Sequence, residues 1–115
     1  MDSKLPGSED ERRRAADLVA RAEAIVEAME MAAVDGRWAM TAFSRYRVCE
    51  LLDVVPYGPY DGDLEGEPAA LLEEAALAVD GLDVAIEELS WRLALGDALR
   101  TAAADIRMVR DARDV

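Results

Sequence analysis

Apolar side chains return at alternating intervals of three and four residues through Ala15, Leu18, Ala22, Ile25, Met29 and Ala32, with Val19, Val26 and Ala33 beside them. That spacing lays one apolar stripe along an α-helix and is incompatible with a strand, whose faces alternate every second residue. A second stripe runs through Leu72, Ala75, Val79, Leu82, Ile86, Leu89 and Leu93. Each is the seam of a packed helix pair. β-Branched residues nowhere gather in alternation, so the chain reads as all-α.

Punctuation sets the expected boundaries. Ser8 and Glu11 have the spacing of a capping box, which opens the first helix. Glu9–Arg13, Asp10–Arg14 and Asp17–Arg21 add i,i+4 pairs worth about 0.2–0.5 kcal/mol each. Asp35-Gly36 invites a break or kink, although the stripe continues in phase at Ala39, Met40, Phe43 and Tyr46. The helical pattern runs on through Cys49, Leu51, Leu52 and Val55 and stops at Pro56. Residues 56–67 (PYGPYDGDLEGE) form the loop, and Pro68 fits the first turn of the next helix, where its missing N–H costs nothing. The second stripe crosses Asp80-Gly81 without losing phase. At Gly96 it shifts by one residue and resumes as Leu95, Leu99, Ala102, Ile106 and Val109, which predicts a kink or short break there. Residues 1–7 read as a disordered tail and 112–115 as a frayed one, around a single domain over 8–111. Its halves, 9–55 and 68–111, predict either a helical hairpin or a small helical bundle of amphipathic helices.

The chain is 52% hydrophobic, but 22 of those residues are alanine. Alanine favours helix yet buries little area, so thin, closely packed helices that self-associate as a homodimer are expected. No apolar run approaches the roughly 20 residues that span a bilayer, so no membrane is expected as a partner. Met1 to Arg14 lacks the apolar core of a signal peptide, and the single Cys49 fits a reducing cytoplasm.

Charge is segregated. Of the net charge of −12, ten carboxylates fall between Asp61 and Ser90 with no Lys or Arg among them. Such a block stays solvated or meets something positive. At 100° per residue, Glu73, Asp80 and Glu87 fall within about 40° of one another, flanked by Glu74, Asp83 and Glu88, opposite the Leu72–Leu93 seam. On a continuous helix these acids form an outward row. Folding back at 56–67 would bring Arg45 and Arg47 level with Glu73 and Asp80, and Arg37 level with Glu87. The expected function is therefore non-catalytic: an acidic interaction protein, an inhibitor or regulator that occludes a basic, nucleic-acid-binding surface on a target protein. The expected partner-binding residues are Glu73, Asp80, Asp83, Glu87, Glu88 and Trp91, with no direct contact to nucleic acid. A scaffold subunit acting through its apolar seams is the alternative, and a magnesium-dependent phosphohydrolase on a helical bundle a second.

Other constellations carry less. The chain has no His, which removes the commonest general base and transition-metal ligand. Asp61, Asp63, Glu65 and Gly66 match the start of a calcium loop, but its closing bidentate position is Leu72. No cofactor and no metal is expected. Cys49 reads as a small buried hydrophobe. Arg37, Trp38, Arg45, Tyr46 and Arg47 form a basic and aromatic island, read as pairing with the acid block. Tyr57 and Tyr60 either fold over the hairpin end or form a contact tip.

Overall fold

Four α-helices and two single turns of 3-10 helix make up the chain in the computed structural model, which describes residues 8–112. The tail expected at 1–7 lies outside the described residues, as do residues 113–115 of the tail expected at 112–115 and the Ser8 side chain of the expected capping box. Helix α1 spans Ser8–Ala32, α2 Ala42–Leu52, α3 Pro68–Asp80 and α4 Leu89–Asp111. The 3-10 turns are Arg37–Thr41, before α2, and Ile86–Glu88, before α4. No strand occurs among the described residues. The expected all-α class holds, in its four-helix form.

Cross-links between helices give the directions. Glu67, Glu73 and Asp80 bridge to Arg110, Arg107 and Arg100 in turn, so α3 and α4 are antiparallel. Arg14 meets Glu74 of α3, while Arg12 meets Glu88 beyond the end of α3 and Arg21 meets Asp63 before its start. Helix α1 is thus antiparallel to α3. Ser44 meets Asp105 and Leu51 meets Trp91, so α2 is antiparallel to α4. The directions run up-down-down-up, with the parallel pair α2 and α3 joined by the loop at 53–67, and the bundle measures 53 × 27 × 19 Å. Alanines line its centre: Ala15, Ala22, Ala69, Ala75, Ala76, Ala102 and Ala103 are all buried, with Leu95, Leu99 and Ile106 the largest fully buried side chains. Small side chains let helix axes approach closely.

Three glycines bear on the expected boundaries. The first is Gly36, where the expected break occupies residues 33–36. Asp35 Oδ1 accepts from the Arg37 amide at 3.1 Å, and a 3-10 turn comes next. With three residues per turn instead of 3.6, it rotates the face that α2 presents to the core. Met40 and Phe43, expected in the seam, face solvent, and Trp38, Thr41, Arg45 and Val48 face the core. Helix α2 then ends at Leu52 rather than Val55, in a left-handed Asp53 (φ 56°), a conformation Asp tolerates better than most residues.

The second is Gly81, expected inside a continuous helix. Helix α3 stops there and residues 81–85 reverse the chain. Leu82 drops into the core and its carbonyl accepts from Arg92 Nη1 at 2.8 Å. The third is Gly96, expected at a kink. Helix α4 runs through it without interruption. A Cβ there would lie 3.2 Å from Arg100 Nη1 and 3.3 Å from Asp80 Oδ1, so the missing side chain lets the end of α3 approach.

The one-residue shift near Gly96 has another origin. Helix α4 carries two apolar stripes. The inner one, Leu95, Leu99, Ala102, Ile106 and Val109, is buried. The outer one begins in the preceding 3-10 turn: Ile86, Leu89 and Leu93 are 83%, 38% and 69% exposed. The reversal at 81–85 uncouples their phase from α3, which turns them out of the seam where sequence periodicity placed them.

Candidate interaction surface

The ten carboxylates of the acid block do not form a continuous outward row, because residues 61–90 comprise a loop, a helix, a reversal and a 3-10 turn. Six of them pair with arginines within the chain, Asp63 with Arg21 at 3.3 Å among them. Arg107 holds Glu73 with two hydrogen bonds, one of 2.9 Å, and keeps that carboxyl below its ordinary range. Arg100 holds Asp80 and Arg12 holds Glu88 at 3.1 Å. Arg14 meets Glu74 at 3.3 Å. Burial pushes the Glu67 carboxyl up, but the Ala70 amide, which it accepts in capping α3, and Arg110 hold it below its ordinary range. These arginines belong to α1 and α4. The arginines expected to do this pair elsewhere: Arg37 with Asp35, Arg47 with Glu50, and Arg45 with Glu23 and Glu30. Short sequence separation favours the first two pairs over a partner on another helix.

Trp91 is turned inward. Its Nε1 donates to the Leu51 carbonyl at 2.8 Å, and the Arg12 guanidinium lies 4.4 Å from its ring centroid. This stack joins α1, the end of α2 and the start of α4. An open cleft of about 380 Å³ borders it, lined by Glu9, Arg12, Arg13, Asp53 and Glu88 among others.

Of the residues expected to bind a partner, Asp83 and Glu87 are exposed, on the reversal and the 3-10 turn. In sequence they adjoin the outer stripe of Ile86, Leu89 and Leu93, with exposed Asp97 one turn further along α4, near Arg100. The structure thus brings an apolar strip and a carboxylate rim onto one face. The sequence carried a signal for it: two apolar stripes one residue out of register on one helix leave one of them unburied.

A second cluster closes the gap between α1 and α2. Arg45 and Glu23, 2% and 6% exposed, meet at 2.7 Å. Arg45 Nε also donates to Thr41 Oγ1 at 2.8 Å, and Thr41 Oγ1 donates to the Trp38 carbonyl at 2.7 Å. The returning loop covers the outside. The Tyr57 amide donates to Glu27 at 2.6 Å and its hydroxyl to Glu30 at 2.7 Å, while Tyr60 accepts from Arg21 at 3.4 Å. Tyr57 and Tyr60 therefore fold back over α1. No buried side-chain nitrogen or oxygen among the described residues lacks a hydrogen bond. Cys49 is buried beside the cluster, and its thiol is pushed up to about 12, first by burial and then by the nearby Glu23 charge. Protonated, it is a packing residue, as expected.

Burial pushes the Glu23 carboxyl up to about 7, against the pull of Arg45. A folded-state value above the unfolded value of 4.5 means that the folded chain binds more protons between those limits. Stability contributed by this group is fully present below about pH 4.5 and is lost as pH rises toward 7. Urea midpoints measured from pH 5 to 7 are expected to fall with rising pH, and Glu23→Gln to flatten that slope. An identical slope in both proteins would assign it to other groups.

Among the described residues, no three or more Cys, Asp or Glu side chains are grouped to hold a metal ion, and no helix is long and apolar enough to cross a membrane. The fold and surface define a helical bundle with an exposed, acid-rimmed apolar strip. No protein-family model matches this chain, and no curated protein or solved structure does so either.

Proposed function

We propose that this chain is a non-catalytic binding protein whose acid-rimmed strip captures a basic, amphipathic segment of a target protein. The observation that carries this reading is the outer stripe of α4, Ile86, Leu89 and Leu93, exposed beside Asp83, Glu87 and Asp97. Residues spaced three and four apart on one helical face suit an apolar helix laid against them. The surrounding carboxylates favour a partner with Lys or Arg beside its apolar face and repel an acidic one. Capture of such a segment would occlude a basic surface on the target. Glu73, Asp80 and Trp91 are engaged within the chain by Arg107, Arg100 and the Leu51 carbonyl, and recognition falls to the residues around 83–97.

A direct test uses two synthetic amphipathic helical peptides with the same leucine face, one flanked by lysine and one by glutamate. Calorimetric titration is expected to show binding of the lysine peptide alone, weakening as salt rises. Leu93→Glu and the pair Asp83→Lys, Glu87→Lys are each expected to weaken it at least tenfold, about 1.4 kcal/mol. Equal binding of both peptides, or of neither, would refute the proposal.

A further inference from the structure

The chain that leaves α2 returns across α1 over residues 53–60. Two residues there take left-handed backbone that side chains seldom adopt, Asp53 (φ 56°) and Tyr57 (φ 58°). The Gly58 amide donates to the Val55 carbonyl at 3.2 Å, which closes a turn with Pro56 second and Tyr57 third, the place where glycine is usual. An aromatic residue stays in that position because of what it reaches. Its amide donates to Glu27 at 2.6 Å, its hydroxyl donates to Glu30 at 2.7 Å, and the Tyr46 hydroxyl donates to it at 3.1 Å. Glu27 and Glu30 are one turn apart on α1, so both ends of one tyrosine are fastened to one helix. Tyr57 is 56% exposed, and water competes for these bonds. A segment fastened in this way opens more readily than the bundle beneath it.

Between this strap and α1 runs a crevice of about 350 Å³, with Asp17, Glu23 and Glu27 on the helix side and Val54, Pro59 and Tyr60 on the strap side. Toward the core, Glu23 faces Arg45 at 2.7 Å and the Cys49 thiol, both on α2. Helices α3 and α4 present it only apolar side chains, Leu72, Ala102 and Ile106. Arg45 is shared, because it also reaches Glu30 and Thr41. One guanidinium therefore serves two carboxylates, and Glu27 stands one turn from Glu23 on the same helix. With all three acids ionised the cluster holds more negative than positive charge. The excess lies beside the carboxylate that fastens the Tyr57 amide. Opening the strap admits water to Glu23 and lowers the cost of its charge.

We propose that residues 53–60 are a proton-controlled strap, closed while Glu23 carries its proton and open once Glu23 ionises and water enters beside Arg45. The strap is remote from the acid-rimmed strip and does not depend on it. Burial holds the Glu23 carboxyl at about 7 in the closed chain, against the pull of Arg45 and with help from Glu27, and water returns it toward 4.5. The closed strap therefore binds the extra proton between those values, and its advantage is lost as pH rises through 7. Amide exchange of the full chain, followed residue by residue by NMR, reads the opening as protection factors with the intrinsic pH dependence divided out. Protection of the Tyr57 and Gly58 amides is expected to fall at least tenfold between about pH 5.5 and pH 8, while Leu99 and Ala102 of α4 stay better protected at both. Glu23→Gln is expected to keep the strap protected throughout. Tyr57→Phe, which removes the bond to Glu30, is expected to lower strap protection at least threefold at pH 5.5 and leave α4 unchanged. Strap protection that ignores pH, or that falls as far in Glu23→Gln, would overturn the proposal. So would full protection in Tyr57→Phe, or strap and α4 amides that exchange at one common rate, since the strap would then open only with the whole fold.

Discussion

Arg45→Met is expected to destabilise the fold by about 3–5 kcal/mol, because it leaves the Glu23 carboxylate buried without its cation. Folded domains of this kind hold only about 5–15 kcal/mol in total, so the loss is a large fraction of the whole. The arginine also seats Thr41 and reaches Glu30, and those acceptors lose a donor together. Removing the acid as well should undo most of the damage. In Glu23→Leu, Arg45→Met the two charges are replaced by apolar side chains, and most of the stability should return. Urea denaturation of the two single variants and the double variant measures this directly. A loss below about 1 kcal/mol in Arg45→Met would show that water reaches Glu23 and that the pair is not sealed. The single variant should also push the pH dependence assigned to Glu23 upward, since its carboxyl would then lack the opposing pull of Arg45.

Leu99→Ala is expected to cost about 2–5 kcal/mol, while Leu93→Ala, six residues away on the same helix, should change stability by no more than about 0.5 kcal/mol. Leu99 is fully buried on the inner stripe of α4, and many of its core neighbours are alanines, which have no rotamers with which to fill a void. The cavity left by the truncation should persist. Leu93 is on the outer stripe and touches solvent in the isolated chain. Thermal or urea unfolding of the two variants therefore distinguishes the two stripes. Comparable losses at both positions would mean that Leu93 is packed and that the face proposed for partner capture is not open.

Much of this architecture could be read directly. The three-and-four spacing named α1, Pro68 marked the first turn of α3, and the Asp-Gly pair at 35–36 marked a break. Periodicity reports that a residue lies on an apolar stripe but not which neighbour covers that stripe. Ile86, Leu89 and Leu93 continue the α3 seam in phase on paper, yet the five residues from Gly81 to Ala85 reverse the chain, and phase is not conserved across a reversal. The same limit applies at Met40 and Phe43, where one 3-10 turn moved the inward face by part of a rotation. Glu23 and Arg45 were partly legible, since Glu23 falls on the same face as Val19 and Val26, and Arg45 lies in line with Thr41 and Val48. Opposite charges interrupting two apolar faces signal a buried pair only when the two helices are neighbours, and nothing local to either segment establishes that.

Local chemistry determined the helices themselves, because backbone hydrogen bonding, capping and side-chain periodicity act within a few residues of one another. Tertiary structure alone decided which arginine each carboxylate of the acid block meets. Ion pairing depends on distance through space, and Arg100, Arg107 and Arg110 reach Asp80, Glu73 and Glu67 only after α3 and α4 pack antiparallel.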